Sequence, residues 1–304
     1  MSLVSHWVVD NFLTFIYISF FYLFTLFYIC VLEKTTLNLN CSKGGKILYV
    51  KPITLSRDFE SIELFPLSDL HIGCKEYSPK AFKKYKNYIL EKENRFCFIN
   101  GDLINNGVKS SVTDIYEEVL TPREQIEEAV AELGSLKDRI WGYIRGNHEY
   151  RTDRESGISP AEFIACKLGI PYLGVQALFK IKFGMHRHMR PSYYTLYATH
   201  GHGGGRMKGG KANNLDRLKN IVIADIYCMG HTHTKVILDG QVNLVDQKND
   251  MIIQKDIYLV NSGAFLERGE SYAAAACYEP QNMGCPCIWM SGTERKINPF
   301  MNRV

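Results

Sequence analysis

Residues 62–67 alternate apolar and polar side chains, the period of a strand with one covered face. Residues 96–99 and the stretch leading to Ile144 are strand-like apolar runs, and residues 227–229 close a buried strand. Alternation over 178–183 and again over 193–198 predicts a hairpin. An early strand over 47–52, a last core strand in "IYLVNSGAF", and further strands at "YAAAACYEP" and "CPCIWM" that close a sheet edge complete the set. Helices fit between the strand ends. "SPKAFKKYKNYILEKE" has Ser78 as cap and Pro79 in the first turn, and "SPAEFIACKLG" sets Ser159, Pro160 and Glu162 in a capping-box arrangement stopped by Gly169. Residues 112–136 read as one long or two short amphipathic helices.

The strand-like runs share a chemical ending. "YCMGHTH" leaves a turn at Gly230 with His231 and His233 one residue apart, a pair that could chelate one ion or face two. "FPLSDLHIG" ends in Asp69 and His71, "FCFINGDLINNG" in Asp102, "IWGYIRGNHEYR" in Asn147 and His148, and "YYTLYATHGHGGG" in His200. A lone histidine is mostly a surface or hydrogen-bonded core residue, and one Asp-x-His is weak evidence. Five strand ends that each carry a metal-capable residue are a different matter.

In this order the motifs resemble those of the calcineurin-like metallophosphoesterase superfamily: D-x-H, G-D, G-N-H-D/E, H and G-H-x-H. The resemblance runs over residues 63–263. It implies an α/β fold of four layers, α/β/β/α, with metals at the carboxyl-end loops of the sheets, in keeping with the general rule for ligand sites on open α/β sheets. Carried over position by position, it implies that Asp69, His71, Asp102 and His233 hold one ion and that Asp102, Asn147, His200 and His231 hold the other. Nitrogen and oxygen donors without thiolate point to two divalent ions, manganese first, with iron or zinc as alternatives. Two divalent ions, two aspartates and a bridging hydroxide leave about one positive charge facing the opening, which suits a phosphate oxygen, and the implied reaction is phosphate ester hydrolysis by attack of that hydroxide. The resemblance also places His148 near the leaving-group oxygen, where a protonated imidazole is worth about 10²–10⁴ in rate. The alternative is a structural histidine behind the ligands.

Two departures bear on substrate. Phosphoprotein phosphatases of the superfamily read G-D-x-V-D-R-G, whereas "GDLINNG" puts Asn105 and Asn106 at the positions of the aspartate that orients the histidine and the arginine that grips phosphate. That argues against a phosphoprotein phosphatase and leaves Asn105 as a candidate to orient His148 and meet substrate. "HGHGGGRMKGGKANNLDRLK" reads as a flexible cationic loop in which Arg206, Lys208 and Lys211 could meet a polyanion, or as a solvated surface loop. Its "THGH" resembles that of small bacterial and archaeal phosphodiesterases, and leaves His202 as an alternative ligand to His200. A second basic cluster, His186, Arg187, His188 and Arg190, falls at the tip of the expected hairpin, as a nucleic-acid path or as ordinary exposed charge.

Composition adds limits. At 304 residues, with motifs spread over some two-thirds of them, one catalytic domain over 57–304 is expected, preceded by a linker over 35–56. A net charge of +4 is too mild to call for a nucleic-acid partner by itself. Nine cysteines with no C-x-x-C pair and one C-x-C, Cys285 and Cys287, do not make a disulfide framework and fit a reducing compartment. Residues 1–34 form a hydrophobic amino-terminal segment, within which 11–32 hold no charge and suffice to cross a bilayer as a helix. Lys34, Lys43, Lys46 and Lys51 follow, an arrangement that leaves the catalytic domain in the cytoplasm behind a membrane anchor. A helix buried against the domain or a partner, or a sequence read from a wrongly chosen start, are the alternatives. The expectation for function is a phosphodiesterase or nuclease acting on DNA, RNA or nucleotides. The alternatives are a phosphomonoesterase, acting on a small molecule or a protein, and a scaffold that kept the fold without the activity.

Overall fold

The alternation over 62–67 becomes strand β2, Ser61–Leu67, in which Ile62 and Leu64 face one apolar cluster and Phe65 and Leu67 another. Apolar side chains on both faces require cover on both, and each neighbouring strand repeats the division. In β3, Arg95–Asn100, Phe98 joins the first cluster while Cys97 and Ile99 join the second. In β4, Ile140–Ile144, the same division holds across a bulge: Cys97 pairs with Ile140, and Ile99 with Tyr143. The structure is a computed structural model and describes residues 48–55, 59–109, 111, 116, 118–184, 192–205, 207–267, 282–302 and 304.

Among those residues there are two mixed sheets. β2, β3 and β4 run parallel, and β10, Cys287–Ser291, pairs antiparallel with β2, followed by β11, Ile297–Phe300, at the edge. The second sheet has the order β1-β5-β6-β7-β9-β8. It is built from β1, Tyr49–Thr54; β5, Gln176–Lys182; β6, Tyr193–Thr199; β7, Ile226–Met229; β8, Lys235–Asp246; and β9, Met251–Ser262. Between the sheets, Ile62, Phe98 and Ile288 meet Phe179, Leu196 and Val260. The far face of the first sheet is covered by α1, Pro79–Leu90, α2, Pro122–Leu133, and α4, Pro160–Leu168, which bury Phe82, Ala129 and Ile164 against it. The far face of the second carries α5, Lys208–Asp216, through Leu215. The result is the expected four-layer α/β/β/α arrangement.

The helix signals act locally as read. Ser78 accepts from the Ala81 N–H and Ser159 from the Glu162 N–H, each with proline next in sequence. Of the stretch 112–136, residues 122–133 are helical, with a Thr121–Glu124 capping box, and a 3₁₀ segment, Gly134–Arg139, completes the passage to β4. The remaining helix, α3, Asn147–Ser156, starts within the motif that follows β4.

Several expectations are modified. The early strand expected over 47–52, within the span read as linker, is β1, Tyr49–Thr54, which pairs along its length with β5. β10 lies inside its sheet, with β11 as the edge. The glycine-rich stretch is a helix from Lys208 onward, because Leu215 and Lys211 are buried, and that burial overrides two glycines of low helix propensity. β5 and β6 form the expected antiparallel hairpin. Its basic tip, His186 to Arg190, lies outside the described residues, as do Arg206, "YAAAACYEP" and the amino-terminal segment 1–34. Leu48–Val304 form one compact unit. Among the described residues no helix is long and apolar enough to cross a membrane.

Phe179 seals the two sheets together, with ring centroids 5.2 Å from Phe98 and 5.9 Å from Trp141. Phe179→Ala is expected to lower stability by about 3–5 kcal/mol. The measurement is the urea midpoint at unchanged slope; a loss below about 1 kcal/mol would show that the sheets do not depend on this contact.

Candidate metal centre

Parallel pairing of β2 with β3 and of β3 with β4, and of β6 with β7 and of β7 with β9, brings the carboxyl ends of these strands to shared edges of the two sheets. The loops that leave them are laced together by backbone hydrogen bonds: Asp69 N to Gly101 O, 3.1 Å; His71 N to Asp102 O, 3.1 Å; Gly230 N to His200 O, 3.1 Å. Asp69, His71, Asp102, His231 and His233 all adopt left-handed backbone conformations, with φ between 50° and 67°. Such conformations are unfavourable for these side chains and persist only where the surroundings enforce them, typically at functional sites. Two glycines permit the approach. A Cβ on Gly230 would collide with Ser68 Oγ, and one on Gly146 with Asp102 Oδ1.

Glu149 fixes the loops from behind. Its buried carboxylate accepts from the N–H groups of Asp102 (3.1 Å), Leu103 (2.7 Å), Ile104 (3.3 Å) and Gly146 (2.8 Å), and from the Tyr143 hydroxyl at 3.0 Å. Burial, then the nearby Asp102, push its pKa upward, and the Gly146 and Ile104 N–H groups oppose that. The residue therefore ties the end of β3 to the start of α3.

Eight side chains converge in front of this brace. Asp69 Oδ1 lies 3.9 Å from His71 Nε2 and 3.2 Å from His233 Nε2, and the two ring nitrogens are 3.1 Å apart. Asp102 Oδ2 lies 3.0 Å from His200 Nε2, 3.9 Å from His71 Nε2 and 3.8 Å from His148 Nε2. Asn147 Oδ1 reaches His200 Nε2 at 3.1 Å and His231 Nδ1 at 2.8 Å. Donor atoms of Asp69, His71 and His233, and those of Asp102, His200 and His231, lie within 4.8 Å of one another in each trio, and Asp102 with His71 and His148 forms a third such group.

The donor set suits a cation. His71 Nδ1 donates to Asn105 Oδ1 at 2.9 Å and His200 Nδ1 to Asn100 O at 2.8 Å, which turns each Nε2 lone pair toward the cluster. His71 Nε2 and His233 Nε2 face each other at 3.1 Å, a pairing that a proton or a cation between them would satisfy. Asp69 Oδ1 is buried and receives no hydrogen bond among the described residues, with His233 Nε2 at 3.2 Å as a neighbour. An orphaned carboxylate oxygen amid imidazoles is what a metal ligand looks like when described without its ion.

The electrostatics agree. Burial works to raise both carboxyl pKa values, yet the charges of His233 and His200 hold Asp69 below the usual range, and those of His200 and His148 hold Asp102 below it. His200, disfavoured as a cation by burial, is nevertheless pushed up to about 10 by Asp102 and Asp69. His231 falls to about 4 through burial and the charge of His200. Burial likewise takes His148 down to about 3, with His71 and Arg151 adding to it against Asp102.

The other candidates separate clearly. Asn105 has its side chain between His71 and Glu118, the latter at 2.6 Å, while its carbonyl accepts from His148 Nδ1 at 2.6 Å. It therefore orients His148 through its backbone, and its side chain is committed elsewhere. Lys208 opens α5 and is exposed, whereas Lys211 is buried and donates to Thr234 Oγ1 at 2.6 Å, bracing the His231–His233 turn. His202 is exposed, with its ring 6.3 Å from that of His231, and it is His200 that reaches Asp102. Cys285 and Cys287 belong to the apolar core. Glu149 entered the sequence reading only as the last residue of the G-N-H-D/E motif, with no role of its own, although its place three residues after Gly146 is a capping-box signal. Arg151, 3.1 Å from His148 Nε2, escaped it because its position depends on α3 beginning at Asn147.

Comparison with known proteins gives a family. The model of the calcineurin-like phosphoesterase family matches residues 67–235. None of the curated proteins matches the sequence. Among solved structures, the chain is similar to the phosphoesterase Yfce of E. coli at 17% identity, covering 76% of this chain and 88% of that one with a TM-score of 0.39. It is also similar to a metallophosphoesterase of Sphaerobacter thermophilus, at 12% identity, 80% and 90% coverage and a TM-score of 0.35. Vps29 of Chaetomium thermophilum stands at 11%, 80%, 96% and 0.35 in the same order.

Glu149→Ala leaves four loop N–H groups without their acceptor. A loss of about 3 kcal/mol is expected in urea unfolding, together with weaker retention of divalent metal through dialysis. Wild-type stability and metal content in that variant would show that the loops hold their shape unaided.

Proposed function

Because the chain belongs to the calcineurin-like phosphoesterase family, and is thus a hydrolase acting on phosphoric ester bonds, we propose that it is a metal-dependent phosphodiesterase or nuclease acting on nucleic acid or nucleotides. The observation that carries this reading is Asp102, whose Oδ2 lies within 4 Å of His200 on one side and of His71 on the other. Asp69, His71, Asp102 and His233 would hold one divalent ion and Asp102, Asn147, His200 and His231 a second, with manganese the first choice for such nitrogen and oxygen donors. Two ions so held supply an activated water as nucleophile and positive charge for the phosphoryl oxygens.

The protein's own groups divide the remaining work. The Asn105 carbonyl fixes the His148 ring through Nδ1, which leaves Nε2, 3.8 Å from Asp102 Oδ2, as the atom that would serve the leaving group. Glu149 and the Gly230 turn hold the ligand loops in their strained conformations. The diester reading draws support from Asn106, which stands where phosphoprotein phosphatases carry an arginine and brings no charge to a phosphate dianion. The Asn106 side chain is occupied by the His148 carbonyl at 2.6 Å and the Thr152 hydroxyl at 3.0 Å.

Manganese-loaded protein offered bis-para-nitrophenyl phosphate, para-nitrophenyl phosphate, and single-stranded and duplex DNA side by side should turn over the diester and DNA in preference to the monoester. Preference for the monoester would replace this reading with that of a phosphomonoesterase. His148→Asn should keep its metal content and lose about 10²–10⁴ in turnover. Loss of an ion in that variant, measured by elemental analysis, would move His148 into the ligand set.

A further inference from the structure

Arg151 lies three residues beyond His148 on α3, a spacing that puts both side chains on one face of the helix. Its guanidinium is partly buried, with Nη2 3.1 Å from His148 Nε2 and Nη1 3.4 Å from the Asn105 carbonyl. That same carbonyl accepts from His148 Nδ1, so His148 is the neutral Nδ1–H tautomer and its Nε2 lone pair is taken by the arginine. An imidazole nitrogen uses one donor of a planar fork that is matched far better by two oxygens of a carboxylate or a phosphate.

No carboxylate among the described residues forms an ion pair with this guanidinium, and those around it are engaged elsewhere. Glu118 accepts from the side chains of Asn105 and Gln125. Glu149 is filled by backbone N–H groups and Tyr143. Asp102 serves the His148 N–H and His200. Asp153, on the same helix, pairs with Arg145. A partly buried cation therefore borders the metal cluster with, among the described residues, only an imidazole and a carbonyl as its hydrogen-bond partners, and Asn106 brings no charge of its own.

We propose that Arg151 is a substrate-phosphate ligand of this site: when the ester binds, the guanidinium turns from His148 Nε2 to a non-bridging phosphoryl oxygen. The turn does two things at once. It adds a charge-assisted contact to the phosphoryl group, and it releases the Nε2 lone pair that the arginine holds in the free enzyme. The inference rests on the phosphoesterase reading, and its test separates the two.

Manganese-loaded wild type, Arg151→Gln and Arg151→Lys would be compared by metal content, by kcat and KM for bis-para-nitrophenyl phosphate, and by direct calorimetric binding of inorganic phosphate. In Arg151→Gln, phosphate binding should weaken and KM rise by about tenfold or more at unchanged metal content. Arg151→Gly should regain part of its turnover on addition of guanidinium ion, an effect that a merely structural arginine would not show. Unchanged phosphate affinity in Arg151→Gln overturns the proposal. Should that variant fail to fold, Arg151→Lys decides: phosphate affinity weakened by about threefold or more supports the proposal, since the fork is lost and the charge kept, and wild-type affinity overturns it. A wild-type protein that binds phosphate through Arg151 but cleaves no ester sinks the phosphoesterase reading and leaves this one standing.

Discussion

Asp69 and Asp102 are carboxylates removed from water, one of them with an oxygen that no donor among the described residues satisfies, and this constraint organises the rest of the molecule. Removing an ionised carboxylate from water costs several kcal/mol unless positive charge or hydrogen bonds answer it. Here the answer comes from imidazoles gathered from strand ends far apart in sequence, and it is incomplete: one oxygen of Asp69 has no hydrogen-bond donor among the described residues. A cation would complete it. The same shortage explains why His200 is driven toward its protonated form despite its burial, a proton being the smallest cation able to occupy such a field.

Holding these groups in place is the task of residues that never face the opening. Glu149 gathers N–H groups from the loops after β3 and β4, so that the strained Asp102 conformation is fixed by hydrogen bonds rather than by its own preference. Asn105 serves two histidines, one through its amide oxygen and one through its carbonyl, and so couples the orientation of His71 to that of His148. Lys211, at the other side, holds Thr234 next to His233. The chemistry of the cluster is thus backed by polar contacts that would be difficult to replace singly.

Much of this was legible in the chain because metal chemistry restricts residue types severely. Apolar runs that end in Asp, His and Asn name both the strand and its function, and β2, β3, β4, β6 and β7 lie where those runs fall. What was not legible depends on tertiary context. In the long β8–β9 hairpin the outer half of β8 only half-buries one face, and apolar residues such as Val245, Met251 and Ile252 are exposed, so apolar character there does not follow burial. α5 contains two glycines and is helical because of what it buries. Lys211, read as part of a solvent-facing cationic loop, is buried for the same reason. Arg151 gained meaning only once α3 began at Asn147 and brought it back over His148.

The central claim is that Asp102 stands between two cation sites. Crystals grown with manganese and measured at its absorption edge test it directly. The account predicts two anomalous peaks about 3.5–4 Å apart, flanking the Asp102 carboxylate, one beside Asp69, His71 and His233 and the other beside Asn147, His200 and His231. Peaks absent from this cluster, or a single peak in contact with only one of the two groups at saturating metal, would contradict it.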